Sequence, residues 1–109
     1  MIFISYSWHD RRAADELVRW MRRRRTQYWI DIERLDLSQN LIPQICGGIR
    51  LSRCLFFLES EFSRASPWVR FEVSKAEEAH LPVVRVPIRG DRTDVVPWAS
   101  GSTGGAADS

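Results

Sequence analysis

Short apolar runs alternate with segments of helical spacing along this chain, and this alternation constrains its fold more than any other feature. The runs are Ile2–Ile4, Tyr28–Ile30, Cys54–Leu58 and Val83–Ile88. They are rich in β-branched and aromatic residues, as expected for strands buried in a sheet. Because a helical segment follows each of the first three runs, we expect parallel strands joined by right-handed crossovers. The prediction is an α/β fold, a flavodoxin-like open parallel sheet of four to five strands with helices on both faces.

The first two helices are predicted from apolar spacing. Ser7 and Asp10 have the spacing of a capping box, so a helix should begin near Trp8. The second helix should be short or broken, because each residue of the Gly47–Gly48 pair costs about 1 kcal/mol relative to alanine. The apolar positions that carry these two predictions are Ala14, Leu17, Val18 and Met21, and then Leu41, Ile42, Ile45 and Ile49.

A third helix is predicted from its first residues. Ser66 can cap it and Pro67 suits its first position, so the helix should run to about His80. Trp68 and Glu72 lie four residues apart and therefore on the same helical face. An aromatic ring one turn from a carboxylate suits a flat, cationic ring compound.

Polar segments follow three of the predicted strands, namely Ser5–Trp8, Asp31–Asn40 and Glu59–Ser66. The carboxyl ends of parallel strands lie on one edge of the sheet, where ligands bind in folds of this kind. We therefore expect the three segments, the second of them a loop throughout, to share one rim. None of them is a glycine-rich phosphate loop, which disfavours kinase, ATPase and ordinary dehydrogenase chemistry.

Composition limits the number of domains, the partners and the location that we expect for this protein. A chain of 109 residues with 44% hydrophobic content fits one domain, which we place at residues 1–98 with a flexible tail or linker at 99–109. The net charge of +2 does not favour nucleic acid as a direct partner. Cys46 and Cys54 lack nearby histidines for a zinc site, so no metal is expected. With no signal peptide or membrane span, the expected location is cytoplasmic.

These residues together resemble the Toll/interleukin-1 receptor (TIR) domain family. Ile2–Ser7 resembles the first box of the family, and Trp29–Leu35 resembles its second strand entering the so-called BB loop. Leu55–Leu58 followed by Ser66–Glu72, with the pattern Ser-x-Trp-x-x-x-Glu, resembles its third strand and the helix that carries the catalytic glutamate. The resemblance covers roughly residues 1 to 98, and its pieces occur in the expected order.

The resemblance implies an NAD glycohydrolase that cleaves the nicotinamide–ribose bond to give ADP-ribose or a cyclic form, with NAD as substrate and no cofactor. Glu72 would be the catalytic carboxylate, ionised with help from the helix N-terminus. The family also implies association with other TIR domains through the BB loop, Glu33 to Asn40, so that a second copy completes the pocket. A sensor domain or partner protein and a role in bacterial anti-phage defence are part of the same expectation. The residues expected to line the pocket are Tyr6, Ser7, Trp8, Asp31 and Trp68.

Alternatives remain open at this stage. The chain has no glycine at residues 35–40, where many TIR domains have one, which motivates a non-enzymatic TIR–TIR interaction module instead. A nucleoside 2′-deoxyribosyltransferase would also use a glutamate on an α/β scaffold. Without the family context, Glu72 could pair with Lys75, Trp68 could be a core residue and Asp31 a turn residue, and Trp8 and His9 could be surface side chains.

Overall fold

The sheet has the predicted parallel arrangement. A computed structural model describes residues 1–93, apart from the side chain of Arg92, and the predicted apolar patch Val95–Trp98 and the tail lie outside this range. The strand order is β2-β1-β3-β4-β5, in which the first four strands are parallel and β5 is antiparallel to β4. The strands are β1 (Ile2–Ser5), β2 (Tyr28–Trp29), β3 (Cys54–Glu59), β4 (Val83–Arg89) and β5 (Arg92–Thr93).

Helices cover both faces of the sheet, as predicted. The helices are α1 (Arg11–Arg23), α2 (Asp31–Arg34), α3 (Leu41–Arg50), α4 (Glu61–Ala65) and α5 (Pro67–Glu78). The stripe of α1 packs with Ile2 and Ile4, whereas α3 and α5 pack with Phe3, and successive residues of a strand point to opposite faces. Among residues 1–93, none of the helices has the length and apolarity needed to cross a bilayer.

The direction in which successive strands are added to the sheet changes between β1 and β3. The chain leaves β1 for β2 on one side and then returns to β3 on the other. The carboxyl ends of two such strands diverge into a crevice, which is the usual ligand site of open parallel sheets. The topology therefore places the candidate site where Ser5 ends β1.

Three segments outside the predicted strands and helices contain regular structure. The segment Asp31–Asn40 is not a loop throughout, because its first four residues form α2. Asp31 is the first residue of this turn, and its Oδ1 accepts a hydrogen bond from the backbone N–H of Ile32 at 2.7 Å. Ser60 and Ser63 form a capping box that starts α4, a box with serine in place of the usual Glu or Gln. Beyond β4, Gly90 adopts a positive φ of 64° and lets the chain turn back into β5.

The predictions for the first two helices, α1 and α3, were correct in position but wrong in detail. Ser7 caps a single 3₁₀ turn, Trp8–Asp10, and α1 begins only at Arg11. Helix α3 is unbroken despite its two glycines, because Gly48 lies directly against the ring of Trp29. A β-carbon at Gly48 would lie 2.7 Å from that ring, so the glycine permits a close approach of helix and strand.

Candidate active site

A cavity of about 510 Å³ lies at the carboxyl ends of β1 and β2, beside the start of α5. This volume is within the range of small-molecule sites. All five residues that the sequence predicted as pocket lining are in its wall: Tyr6, Ser7, Trp8, Asp31 and Trp68. The remaining lining residues are Ser66 and four apolar residues, Ile32, Leu35, Leu37 and Leu41. The structure thus brings together residues from three separate segments of the chain.

Trp68 is held in the cavity wall by the start of α5. The hydroxyl of Ser66 accepts a hydrogen bond from the backbone N–H of Val69 at 3.3 Å, which confirms the predicted cap. The ring of Trp68 is partly buried and packs against Phe71 with a centroid distance of 6.1 Å. Trp68 therefore combines the packing of a core residue with a surface turned to the cavity.

Glu72 lies beneath this cavity and does not form part of its wall. Its side chain is 2% exposed, and its Oε1 accepts a hydrogen bond of 2.7 Å from the hydroxyl of Ser5. The alternative pairing with Lys75 does not occur, because the Lys75 ammonium lies 3.3 Å from Glu78. The carboxyl group is thus buried with a neutral partner, one helical turn from Trp68.

Burial raises the pKa of Glu72 to about 8, and the negative charge of Asp31 adds to the increase, whereas the Ser5 hydrogen bond opposes it. Glu72 therefore carries a proton at neutral pH in this structure, and the expectation of an ionised side chain was wrong. The dipole of α5 does not prevent this, because its effect is confined to the first turn of a helix and Glu72 lies in the second.

Asp31 and Tyr6 form a hydrogen-bonded pair in the cavity wall. The Tyr6 hydroxyl donates a hydrogen bond of 3.0 Å to Oδ1 of Asp31. Burial and the negative charge of Asp31 both raise the pKa of Tyr6, so the phenol stays protonated and remains a donor. Asp31 is thus a helix-starting residue and a cavity carboxylate at once.

Two polar contacts of the site were not predicted from the sequence. Ser5 is fully buried, and its hydroxyl donates a hydrogen bond to Glu72. The only indication of this contact in the sequence was a hydroxyl at the end of an apolar strand. Asp10 accepts a hydrogen bond of 2.5 Å from the Ser60 hydroxyl, which ties the segment after β1 to the segment after β3. This contact joins residues that are 50 positions apart, so local spacing could not reveal it.

The mouth of the cavity is apolar and exposed. Leu37, in the loop between α2 and α3, is 80% exposed, and Trp8 on another side of the mouth is 65% exposed. The loop is held at its base by Gln44, whose side-chain amide exchanges two hydrogen bonds with the backbone of Asp36. His9 is exposed, as expected, and stacks on Phe62 with a centroid distance of 4.5 Å. Among residues 1–93, no group of three or more metal-binding side chains is present.

Comparisons with known proteins agree with this architecture. A family model for the TIR domain matches residues 2–105 of the chain. Among solved structures, the chain is similar to the TIR domain of the Toll-related receptor TRR-2 from the lower metazoan Hydra magnipapillata, with a TM-score of 0.73. The identity is 14%, and the similarity covers 82% of this chain and 70% of the receptor domain, so the likeness concerns the fold. A search of curated proteins gave no match.

Proposed function

Because the chain belongs to the TIR domain family, we propose that it is an NAD glycohydrolase in which Glu72 is the catalytic carboxylate. The observation that carries the proposal is the position of Glu72, a buried carboxyl group with a raised pKa, one turn from the cavity residue Trp68. Buried carboxyl groups with strongly perturbed pKa values concentrate at functional sites.

The cavity offers a suitable surface for the nicotinamide ring of NAD. Trp68 can stack on this cationic ring, an attraction of about 0.5 to 2 kcal/mol. Asp31, in the same wall, adds a negative charge that attracts the pyridinium. The apolar side chains at the mouth exclude water from the ring.

The bond that breaks joins the ribose carbon C1′ to the ring nitrogen. Its electron pair stays with the nitrogen, so nicotinamide leaves as a neutral molecule and positive charge develops on the ribose, as in glycoside cleavage. A carboxylate beside the ribose stabilises this charge. A water molecule then adds to C1′ and loses its proton, giving ADP-ribose, whereas attack by an adenine nitrogen gives a cyclic product.

Glu72 has to ionise before it can act in this way. The cationic ring of the substrate lowers the pKa of a neighbouring carboxyl group, so binding itself favours the ionised form. The Ser5 hydroxyl stabilises the resulting carboxylate, because its hydrogen bond also lowers the pKa. Substrate binding and ionisation of Glu72 are therefore coupled in the proposed mechanism.

Nicotinamide release from NAD by wild type, Glu72→Gln and Glu78→Gln tests the proposal. We expect Glu72→Gln to lower the rate by about 100-fold or more, since it keeps the shape of the side chain but cannot ionise when the substrate binds. Glu78→Gln removes a carboxylate from the exposed side of the same helix and should leave the rate unchanged. Equal release by wild type and Glu72→Gln would refute the assignment.

A non-enzymatic TIR–TIR interaction module is the second candidate. It is favoured by the 2% exposure of Glu72, which lies off the cavity wall, and by the 80% exposure of Leu37. TIR domains generally associate with other TIR domains, and Leu37 lies in the BB loop segment, 33–40. In this case Leu37→Asp should abolish association, measured by light scattering, while wild type at high concentration releases no nicotinamide. A self-associating enzyme would instead lose both properties together.

A further inference from the structure

The cavity of about 510 Å³ beside Trp68, here called the large cavity, has no basic residue among its described lining residues to bind the diphosphate of a dinucleotide. Its charged lining residue is the acidic Asp31, and neither lysine nor arginine occurs among the described residues of its wall. A dinucleotide carries a negatively charged diphosphate between its two nucleosides. A cation close to the wall is therefore required, and no glycine-rich loop follows β1 to supply backbone N–H groups in its place.

Arg11 is a cation that contacts this wall. Its guanidinium lies 5.2 Å from the ring centroid of Trp8, which lines the large cavity and is 65% exposed. Arg11 also lines a smaller cavity of about 260 Å³. Trp8 lines the large cavity and Arg11 lines the smaller one, so the contact between the two side chains joins the two walls.

The geometry of Arg11 leaves donors for an anion. Its Nε donates a hydrogen bond of 3.2 Å to Oδ1 of Asp15, and a guanidinium has four further N–H donors. The side chain is 41% exposed, so these donors are accessible. The contact with the Trp8 ring and the hydrogen bond to Asp15 hold the guanidinium beside the cavity wall, and its planar fork of donors suits two phosphate oxygens.

We propose that Arg11, stacked on Trp8, binds the diphosphate of a dinucleotide whose nicotinamide ring occupies the large cavity. The choice of a dinucleotide rests on the proposed function. The consequence is specificity, because a nicotinamide nucleoside without phosphate would not engage Arg11. Arg19, about two turns further along the same helix, lines neither of these two cavities, and its guanidinium lies 3.1 Å from Glu16.

Titration with ADP-ribose and, separately, with nicotinamide tests the subsite, using tryptophan fluorescence or NMR chemical shifts as the readout. We expect Arg11→Gln to weaken ADP-ribose binding by about tenfold or more, the loss expected for charge-assisted hydrogen bonds, and to leave nicotinamide binding unchanged. Arg19→Gln removes the same charge from a position on the same helix outside both cavities and should bind both compounds like wild type. Thermal unfolding should be similar in all three proteins, because exposed ion pairs contribute little to stability.

The result separates this inference from the proposed function. If ADP-ribose binds and Arg11→Gln weakens it while wild type releases no nicotinamide from NAD, the subsite stands and the hydrolase proposal fails. Equal ADP-ribose affinity of wild type and Arg11→Gln would overturn the subsite even in an active enzyme. The same conclusion follows if wild type does not bind ADP-ribose, or if Arg19→Gln weakens binding as much as Arg11→Gln.

Discussion

Replacing Glu72 with glutamine should change how the stability of the protein depends on pH. In the folded protein burial raises the pKa of Glu72 from 4.5 to about 8, whereas the unfolded chain titrates near 4.5. Between these two values the folded protein keeps a proton that the unfolded chain releases. The free energy of unfolding therefore falls as the pH rises through this window, and above pH 8 the penalty is complete. A glutamine side chain does not titrate, so the variant escapes this loss.

The size of the effect follows from the two pKa values. Their difference is equivalent to about 5 kcal/mol, at about 1.4 kcal/mol for each pH unit. Water entry and side-chain rearrangement around an ionised group reduce such a penalty, so this value is an upper bound. We expect Glu72→Gln to gain about 2 kcal/mol or more relative to wild type between pH 5 and pH 8.5. The Ser5 hydrogen bond is kept, because the glutamine oxygen is also an acceptor.

Urea unfolding at several values between pH 5 and pH 8.5, followed by tryptophan fluorescence, measures this difference. Glu59→Gln is the matched control. The hydrogen bond of 2.6 Å from Arg85 lowers the pKa of Glu59, so its contribution to stability is present above pH 4.5 and is lost only at more acidic pH. The stability difference between Glu59→Gln and wild type should therefore be constant over the measured range. Parallel stability curves for Glu72→Gln and wild type would refute the reasoning.

Two further predictions concern packing and capping. Gly48→Ala should destabilise the protein by about 1 to 3 kcal/mol, because the new methyl group would lie 2.7 Å from the ring of Trp29, which stacks on Phe3 and cannot retreat. Gly47→Ala, on the same helix with no neighbour within 4 Å, should instead stabilise it by up to about 1 kcal/mol; similar urea midpoints for the two variants would contradict the packing argument. Ser66→Ala should cost about 1 kcal/mol by removing the cap of α5, whereas Ser74→Ala, at an exposed position within that helix, should be neutral or slightly stabilising; an unchanged midpoint for the Ser66 variant would count against the cap.

Local sequence patterns were sufficient to predict much of the fold. The buried stripe of α1 repeats every three to four residues, and the cap of α5 depends on neighbours in the sequence, so both could be predicted. Helix α4 was missed because its capping box uses Ser63 instead of Glu or Gln. The integrity of α3 was underestimated because the favourable contact of Gly48 is with Trp29, a residue on a strand.

The candidate site also has features that the sequence predicted and features that it did not. The lining residues Tyr6, Ser7, Trp8, Asp31 and Trp68 were expected from the resemblance to TIR domains, and the structure brings all five to one cavity. The meeting of their segments at one rim was predicted because parallel strands place their carboxyl ends together. The protonation state of Glu72 could not be predicted from its neighbours in the sequence. Its pKa depends on the water removed from around it and on the charge of Asp31, and both follow from packing between distant segments.

The sequence by itself determined the four parallel strands and the helices α1, α3 and α5, the face of α5 shared by Trp68 and Glu72, and the segments that meet at the rim, because these follow from the periodicity of the backbone and from chain topology. Only the tertiary structure decided that Glu72 lies under the cavity, bonded to Ser5 and protonated at neutral pH. The reason is physical. Desolvation and hydrogen bonding across 67 residues of chain are properties of the packed interior, and local spacing carries no information about them.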